Sequence, residues 1–172
     1  MLGWLRERVA RGRKIKFAAY LEALRSRGLV LGSNVSFQDG VFLDPSHCFL
    51  ISVGNDCTFA PNVRLVAHDA STKMVVGATR LGAIRIGNRC FLGDSVLVLP
   101  GVTIGDDCII GAGSVVNRDI PAGSVAAGNP VRVLKSIEEY REQHRNLRAA
   151  GRTFGDGYHI PGITATRRAE VL

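Results

Sequence analysis

IGNRCFLGDSVLVLPGVTIGDDCIIGAGSVVNRDIP, residues 86–121, repeats one six-residue phrase in which each unit opens on Ile, Leu or Val and Gly usually follows. Self-similarity at so short a period means stacked, nearly identical turns of backbone, each laying one aliphatic side chain on the turn below. Working backwards, the same register runs through Leu65, Phe59 and Val53, then Leu43, Phe37 and Leu31. It breaks twice. Leu43 and Val53 are ten residues apart, so a bulge or short extra turn is expected near Leu50, and Leu65 and Ile86 are twenty-one apart, so a loop must leave the coil between them.

A second inward row follows four residues after each opening aliphatic: Val35, Val41, His47, Cys57, Val63, Cys90, Val96, Val102, Cys108, Ser114 and Ile120. Two inward positions per hexapeptide suit a triangular prism of short parallel strands, with Gly, Asn and Asp at the corners because those residues tolerate corner conformations. About five or six coils fit between Leu29 and Val131, and a stack of this kind needs its ends covered. The fold class expected is therefore all-β, a parallel β-helix with short flanking helices. Periodicity leaves its handedness open.

We expect three segments: a basic amphipathic helical segment over 1–28, the β-helix over 29–133 with a loop at 67–85, and a helix from 134 followed by a tail to 172. The formal charge of +7 lies in the flanks: residues 1–28 hold eight Lys or Arg against two acids, residues 29–131 six against eight. The N-terminal segment, with Trp4, reads either as a cap on the first coil or as a peripheral contact with an anionic membrane, and the exposed end of a coil favours the cap. No recognised nucleic-acid module or aromatic-interleaved basic stripe is present, so no nucleic-acid partner is expected. No apolar run approaches the ~20 residues of a membrane span and no secretory core is visible, so the expected setting is cytoplasmic, peripheral to the inner face of the membrane if the N-terminal segment meets lipid.

Cys57, Cys90 and Cys108 fall at the inward position that Val and Ser fill elsewhere, and no CxxC spacing exists, which marks them as core filler rather than disulfide or zinc ligands. Of the four histidines, His144 and His159 read as solvated and His47 as a partly buried structural residue. His68 differs because it ends a regular run, APNVRLVAH, where a rigid scaffold meets a long loop, a common placement for a general base. Asp69 follows and is a candidate to orient the ring, as is a more distant carboxylate.

APNV (60–63), AHDASTK (67–73) and IGNRCF…AGNPVRVL (86–134) together resemble the left-handed β-helix acyltransferases, specifically O-acetyltransferases of the maltose and galactoside type and those modifying capsule or lipopolysaccharide sugars. The resemblance covers about two thirds of the chain and implies a left-handed coil and a homotrimer with sites between subunits. It also implies acetyl-CoA as acyl donor, no metal, and direct transfer to a sugar or surface-polysaccharide hydroxyl with His68 as base. It places backbone N–H groups of Gly93 or Asp94 at the thioester oxygen, Ala112 at the pantetheine, and Asn117 and Arg118 along CoA. Arg132 and Lys135 fall where the 3′-phosphate needs a cation. Gln38 and Asp39, in SFQDGVFLD (36–44), stand where an acceptor stretch lies in the family. The chain departs from maltose-type enzymes there and in its N-terminal segment, which points the acceptor toward surface-polysaccharide sugars. Other readings are an acyltransferase acting on an amino acid or amino sugar, and a non-catalytic β-helix scaffold. A zinc enzyme of the carbonic-anhydrase type is disfavoured, since its zinc requires three histidines across subunits and only His47 and His68 lie in the coil.

Overall fold

The computed structural model describes residues 16–153. Its strands come in threes. A first turn holds β1 (Val30–Leu31), β2 (Ser36–Phe37) and β3 (Phe42–Leu43), and a second holds β4 (Ile51–Val53), β5 (Thr58–Phe59) and β6 (Arg64–Leu65). After a hairpin of β7 (His68–Asp69) and β8 (Arg80–Leu81), with the one-turn helix α2 (Lys73–Val76) at its tip, come β9 (Ile84–Ile86), β10 (Phe91–Leu92) and β11 (Leu97–Val98). A fourth turn is β12 (Thr103–Ile104), β13 (Ile109–Ile110) and β14 (Val115–Val116), and β15 (Ser124–Ala127) and antiparallel β16 (Arg132–Ser136) end the stack. The chain visits three sheets in rotation: a first of β1, β4, β9 and β12, a second that starts with β2 and ends with β16, and a third of β3, β6, β11 and β14.

Register explains why the repeat reads so clearly. Leu31, Val53, Ile86 and Ile104 pair in one column, Phe37, Phe59, Leu92, Ile110 and Ala126 in a second, and Leu43, Leu65, Val98 and Val116 in a third. From Leu43 onward these column residues are all buried. Among the described residues four complete turns form rather than the five or six expected, because residues 44–50 and 66–83 are spent on excursions. The first excursion contains a 3-10 turn over Cys48–Leu50, where the ten-residue gap predicted one. Ile120 pairs with Ile104, so it takes a column place two residues early instead of its expected second-row place.

The cysteines are buried, free core residues. The Sγ atoms of Cys57, Cys90 and Cys108 each donate to a carbonyl of the next turn, those of Gly87, Gly105 and Pro121, at 3.1, 3.1 and 3.2 Å. Outside them runs a side-chain ladder: Ser33 N–H donates to Asn55 Oδ1, Asn55 N–H to Asn88 Oδ1, and Asn88 N–H to Asp106 Oδ1, at 2.8, 2.9 and 2.8 Å. Gly54 sits under this corner because a Cβ there would fall 2.7 Å from the Gly87 carbonyl oxygen.

Helix α1 (16–25) covers the first turn. Tyr20 donates to the Leu43 carbonyl at 2.7 Å, Leu24 is buried, and Phe17 meets Phe37 edge-on at 5.7 Å. These contacts are those of the cap reading for residues 16–25. Trp4 and residues 1–15, like His159 and the tail from 154, lie outside the described residues. The described residues divide into two compact units between Ile137 and Glu138. Helix α3 (Ile137–Ala149) starts three residues after the expected 134, since β16 carries the chain to Ser136. Within α3, His144 stacks on Tyr140 at 3.9 Å and Arg141 pairs with Glu138. Among the described residues, no helix is long and apolar enough to cross a membrane.

Replacing the fully buried Ile104 by Ala removes a column member that its neighbours cannot refill, and should cost about 2–5 kcal/mol in denaturant unfolding. Met74→Ala, at the 92%-exposed tip of the hairpin, should stay within about 0.5 kcal/mol of the parent.

Candidate active site

Both interruptions of the repeat fall at the same corner, between the third sheet and the first. The lower one leaves β3 through Asp44, Pro45, Ser46 and His47, and the upper one leaves β6 through Val66, Ala67 and His68. Stacking one excursion on the other brings Asp44 beneath His68, and Asp44 Oδ2 lies 2.5 Å from His68 Nδ1. Asp44 is fully buried. Its carboxylate is held by two backbone donors besides the ring, Ser46 N–H to Oδ1 and Ala67 N–H to Oδ2, both at 3.1 Å.

Burial pushes the Asp44 carboxyl up, but the hydrogen bonds from His68, Ser46 and Ala67, together with attraction to the imidazole, outweigh it and hold the group below its ordinary value. An ionised carboxylate only accepts, so the His68 proton sits on Nδ1 and the Nε2 lone pair is left to accept. His68 Nε2 has no hydrogen-bond partner among the described residues, and a third of the side chain, 33%, is exposed. This is an imidazole fixed in tautomer, aimed by a buried anion, and open to take a proton from solution or from a ligand.

The carboxylate that orients the ring is Asp44, not Asp69. Asp69 Oδ1 instead accepts from the Ser71 N–H and hydroxyl at 2.9 and 2.6 Å, closing the turn that starts the hairpin tip. Its carboxyl is lowered by those two bonds. Asp44 carried no periodic signal. What marks it is its place: an acidic residue just after the buried Leu43, where the six-residue register is lost and a burial-prone position faces a second excursion.

The remaining candidates fall on two corner columns. Asn117 and Arg118 follow β14 and so lie at the corner of His68, two turns above it, exposed. Gln38, Asp39, Gly93, Asp94 and Ala112 lie at the corner between the second and third sheets. There Asn62 N–H donates to the Asp39 carbonyl, Ser95 N–H to that of Pro61, and Gly113 N–H to that of Asp94, which makes one continuous column. A Cβ on Gly93 would fall 2.6 Å from Ala112 N, so this edge stays narrow under the exposed Ala112. Gly93 N–H is committed to the Ile110 carbonyl at 2.8 Å, which removes it as an oxyanion donor and leaves the Asp94 N–H. Arg132 and Lys135 lie on β16 beyond that corner, opposite Ala127 and Val125. Within one chain the His68 corner and the Asp94 corner are separated by the width of the third sheet.

Gln38 and Asp39 also line a cavity of about 670 Å³ between α1 and the first turn, whose wall includes Phe17, Tyr20 and Phe37. Aromatic faces beside a few polar side chains are the usual lining of a small-molecule site.

Residues 83–118 match the family of bacterial transferase hexapeptide repeats. The chain is 33% identical over 113 residues to the putative acetyltransferase YvoF of Bacillus subtilis, covering 66% of this chain and 63% of that one. To the galactoside O-acetyltransferase of Escherichia coli it is 40% identical over 102 residues, covering 56% and 48%. It thus spans about half to two thirds of the length of these curated relatives. The crystal structure of a maltose O-acetyltransferase from Clostridium difficile superposes with a TM-score of 0.54 at 39% identity, covering 62% of this chain and 57% of that one. A galactoside acetyltransferase in complex with coenzyme A superposes with a TM-score of 0.54 at 29% identity, covering 69% and 70%.

Asp44→Asn should destabilise the fold by about 1–3 kcal/mol near neutral pH, because both carboxylate oxygens face backbone donors and the new amide must turn its own N–H toward one of them. With its pKa depressed in the folded state, Asp44 stabilises fully above the ordinary carboxylate value of about 4 and loses that stabilisation as pH falls through the folded value. Urea midpoints against pH should therefore converge for parent and variant on the acid limb and separate above it.

Proposed function

We propose that this chain, a hexapeptide-repeat relative of the maltose and galactoside O-acetyltransferases, transfers acetyl from acetyl-CoA to a hydroxyl of a sugar or surface-polysaccharide precursor. The observation that carries the reading is the buried Asp44 holding His68 with its Nε2 open. Asp44 is a positioning residue and His68 the general base. Nε2 takes the proton of the acceptor hydroxyl as its oxygen bonds to the thioester carbonyl carbon. The resulting oxyanion collapses, the C–S bond breaks, and the CoA thiolate leaves with the proton returned by His68. The Asp94 N–H is the donor we assign to the oxyanion.

We infer the left-handed, three-faced prism from the three-sheet rotation together with the relatives, and from it a homotrimer. In such an assembly the His68 corner of one chain meets the Asp94 corner of the next, which would complete the site. Ala112 then borders the pantetheine, Asn117 and Arg118 flank CoA from the histidine side, and Arg132 and Lys135 receive its 3′-phosphate. Gln38 and Asp39 bind the acceptor, with the aromatic-walled cavity supporting a sugar. Four free cysteines accord with a reducing, cytoplasmic setting. Peripheral contact with the inner face of the membrane, in this reading, falls to the basic segment of residues 1–28.

Calorimetric titration with acetyl-CoA should give one ligand per chain, weakened when CoA lacks its 3′-phosphate, and no saturable binding would overturn the reading. His68→Ala should lower kcat by about 10²–10⁴-fold in acetyl transfer to a panel of sugar hydroxyls. Asp44→Asn should lower kcat with KM for acetyl-CoA little changed, the split expected of a residue that acts through another.

A further inference from the structure

His47 stands beside the pair already described and is not used by it. Its Nδ1 is buried, has no hydrogen-bond partner among the described residues, and lies 3.7 Å from the same Asp44 oxygen that His68 Nδ1 approaches to 2.5 Å. All three donor atoms fall within 4.8 Å of one another. The two rings are 4.8 Å apart and tilted by 44°, and both Nδ1 atoms face the same carboxylate oxygen. We propose that Asp44, His47 and His68 form a single-chain site for a divalent transition-metal ion such as zinc or cobalt, and that occupancy of this site abolishes the base.

The donor chemistry selects the metal. Two imidazoles and one carboxylate suit Zn²⁺ and its neighbours, whereas Mg²⁺ and Ca²⁺ require oxygen ligands. Metal–donor bonds of about 2.0–2.2 Å set tetrahedral donors about 3.3 Å apart, so the His68–Asp44 spacing opens once its hydrogen bond is lost, the 3.7 Å His47–Asp44 spacing closes, and the donor set, spread over up to 4.8 Å, contracts. The frame is stiff where it must be: Ser46 and Ala67 N–H groups keep the carboxylate oriented, the outer support that tunes a metal ligand. Side-chain exposures of 25% for His47 and 33% for His68 bring both rings to solvent, from which a water would supply the fourth ligand.

The consequence for the base follows from proton bookkeeping. In the metal-free state His68 carries its proton on Nδ1 and offers the Nε2 lone pair. A metal on Nδ1 requires that nitrogen's lone pair, so the proton moves through solvent to Nε2, which then only donates. The ring remains neutral and in place but accepts nothing from an acceptor hydroxyl. Metal binding rests on the donor geometry alone; the loss of activity rests also on the acetyl-transfer reading.

The test is a titration of the full, chelator-treated chain with Co²⁺, followed by its visible ligand-field bands, with Zn²⁺ in competition. We expect one Co²⁺ per chain with tetrahedral intensity, displaced by Zn²⁺, and about 100-fold weaker binding in His47→Ala. A chain carrying His144→Ala and His159→Ala should bind as the parent does. Zn²⁺ should inhibit acetyl transfer by the parent at concentrations that leave His47→Ala active, while the metal-free turnover of the two is equal. If His47→Ala does not fold by circular dichroism, His47→Gln serves in its place. No saturable cobalt spectrum, or one unchanged by loss of His47, overturns the proposal. Cobalt bound as described by a chain that acetylates no acceptor would keep the metal site and remove the acetyl-transfer reading instead.

Discussion

Each column residue rests on its counterpart one turn below, with a backbone hydrogen bond beside it, and the rest of the molecule depends on that repeated contact. Because Phe59 sits between Phe37 and Leu92, and Leu65 between Leu43 and Val98, a turn is positioned by its two neighbours and by little else. The coil is in this sense one-dimensional, with stability adding along its axis. Corners are fixed equally well, since the Asn55–Asn88–Asp106 ladder and the thiol-to-carbonyl bonds of Cys57, Cys90 and Cys108 repeat with the same period. Side chains set on such a frame inherit its precision.

That precision lets a buried carboxylate persist. Taking Asp44 out of water is unfavourable by itself, and the opposing force is three donors arranged by two successive excursions. Neither excursion would hold the anion alone: Ser46 comes from the lower, Ala67 and His68 from the upper. The same arrangement fixes the tautomer of His68, so one packing feature decides both where the ring points and which nitrogen is free.

The columns, the bulge near Leu50, the loop after Leu65 and the inward cysteines were legible because each is a statement about a six-residue period, and a period survives in the sequence without any knowledge of contacts. His68 was legible as the residue at which the period stops. Asp44 was not, since its partner is 24 residues away across a register shift that the repeat cannot count through. Asp69 drew attention by adjacency, yet neighbours on a strand point apart, and its carboxylate serves Ser71. Chain length overstates the number of turns for a related reason: residues 44–50 and 66–83 leave the coil.

Both excursions leave from the same corner, and neither alters the pairing of the strands on either side. β3 still aligns with β6, and β4 with β9, in register. A corner that accepts extra residues without disturbing the ladder is a port into which chain can be spliced. The fold and the chemistry can therefore change at different rates in descent, the coil being constrained turn by turn while the port is rewritten in length and composition. Relatives with the same columns and different inserts would then be expected to share a scaffold and diverge in what they modify.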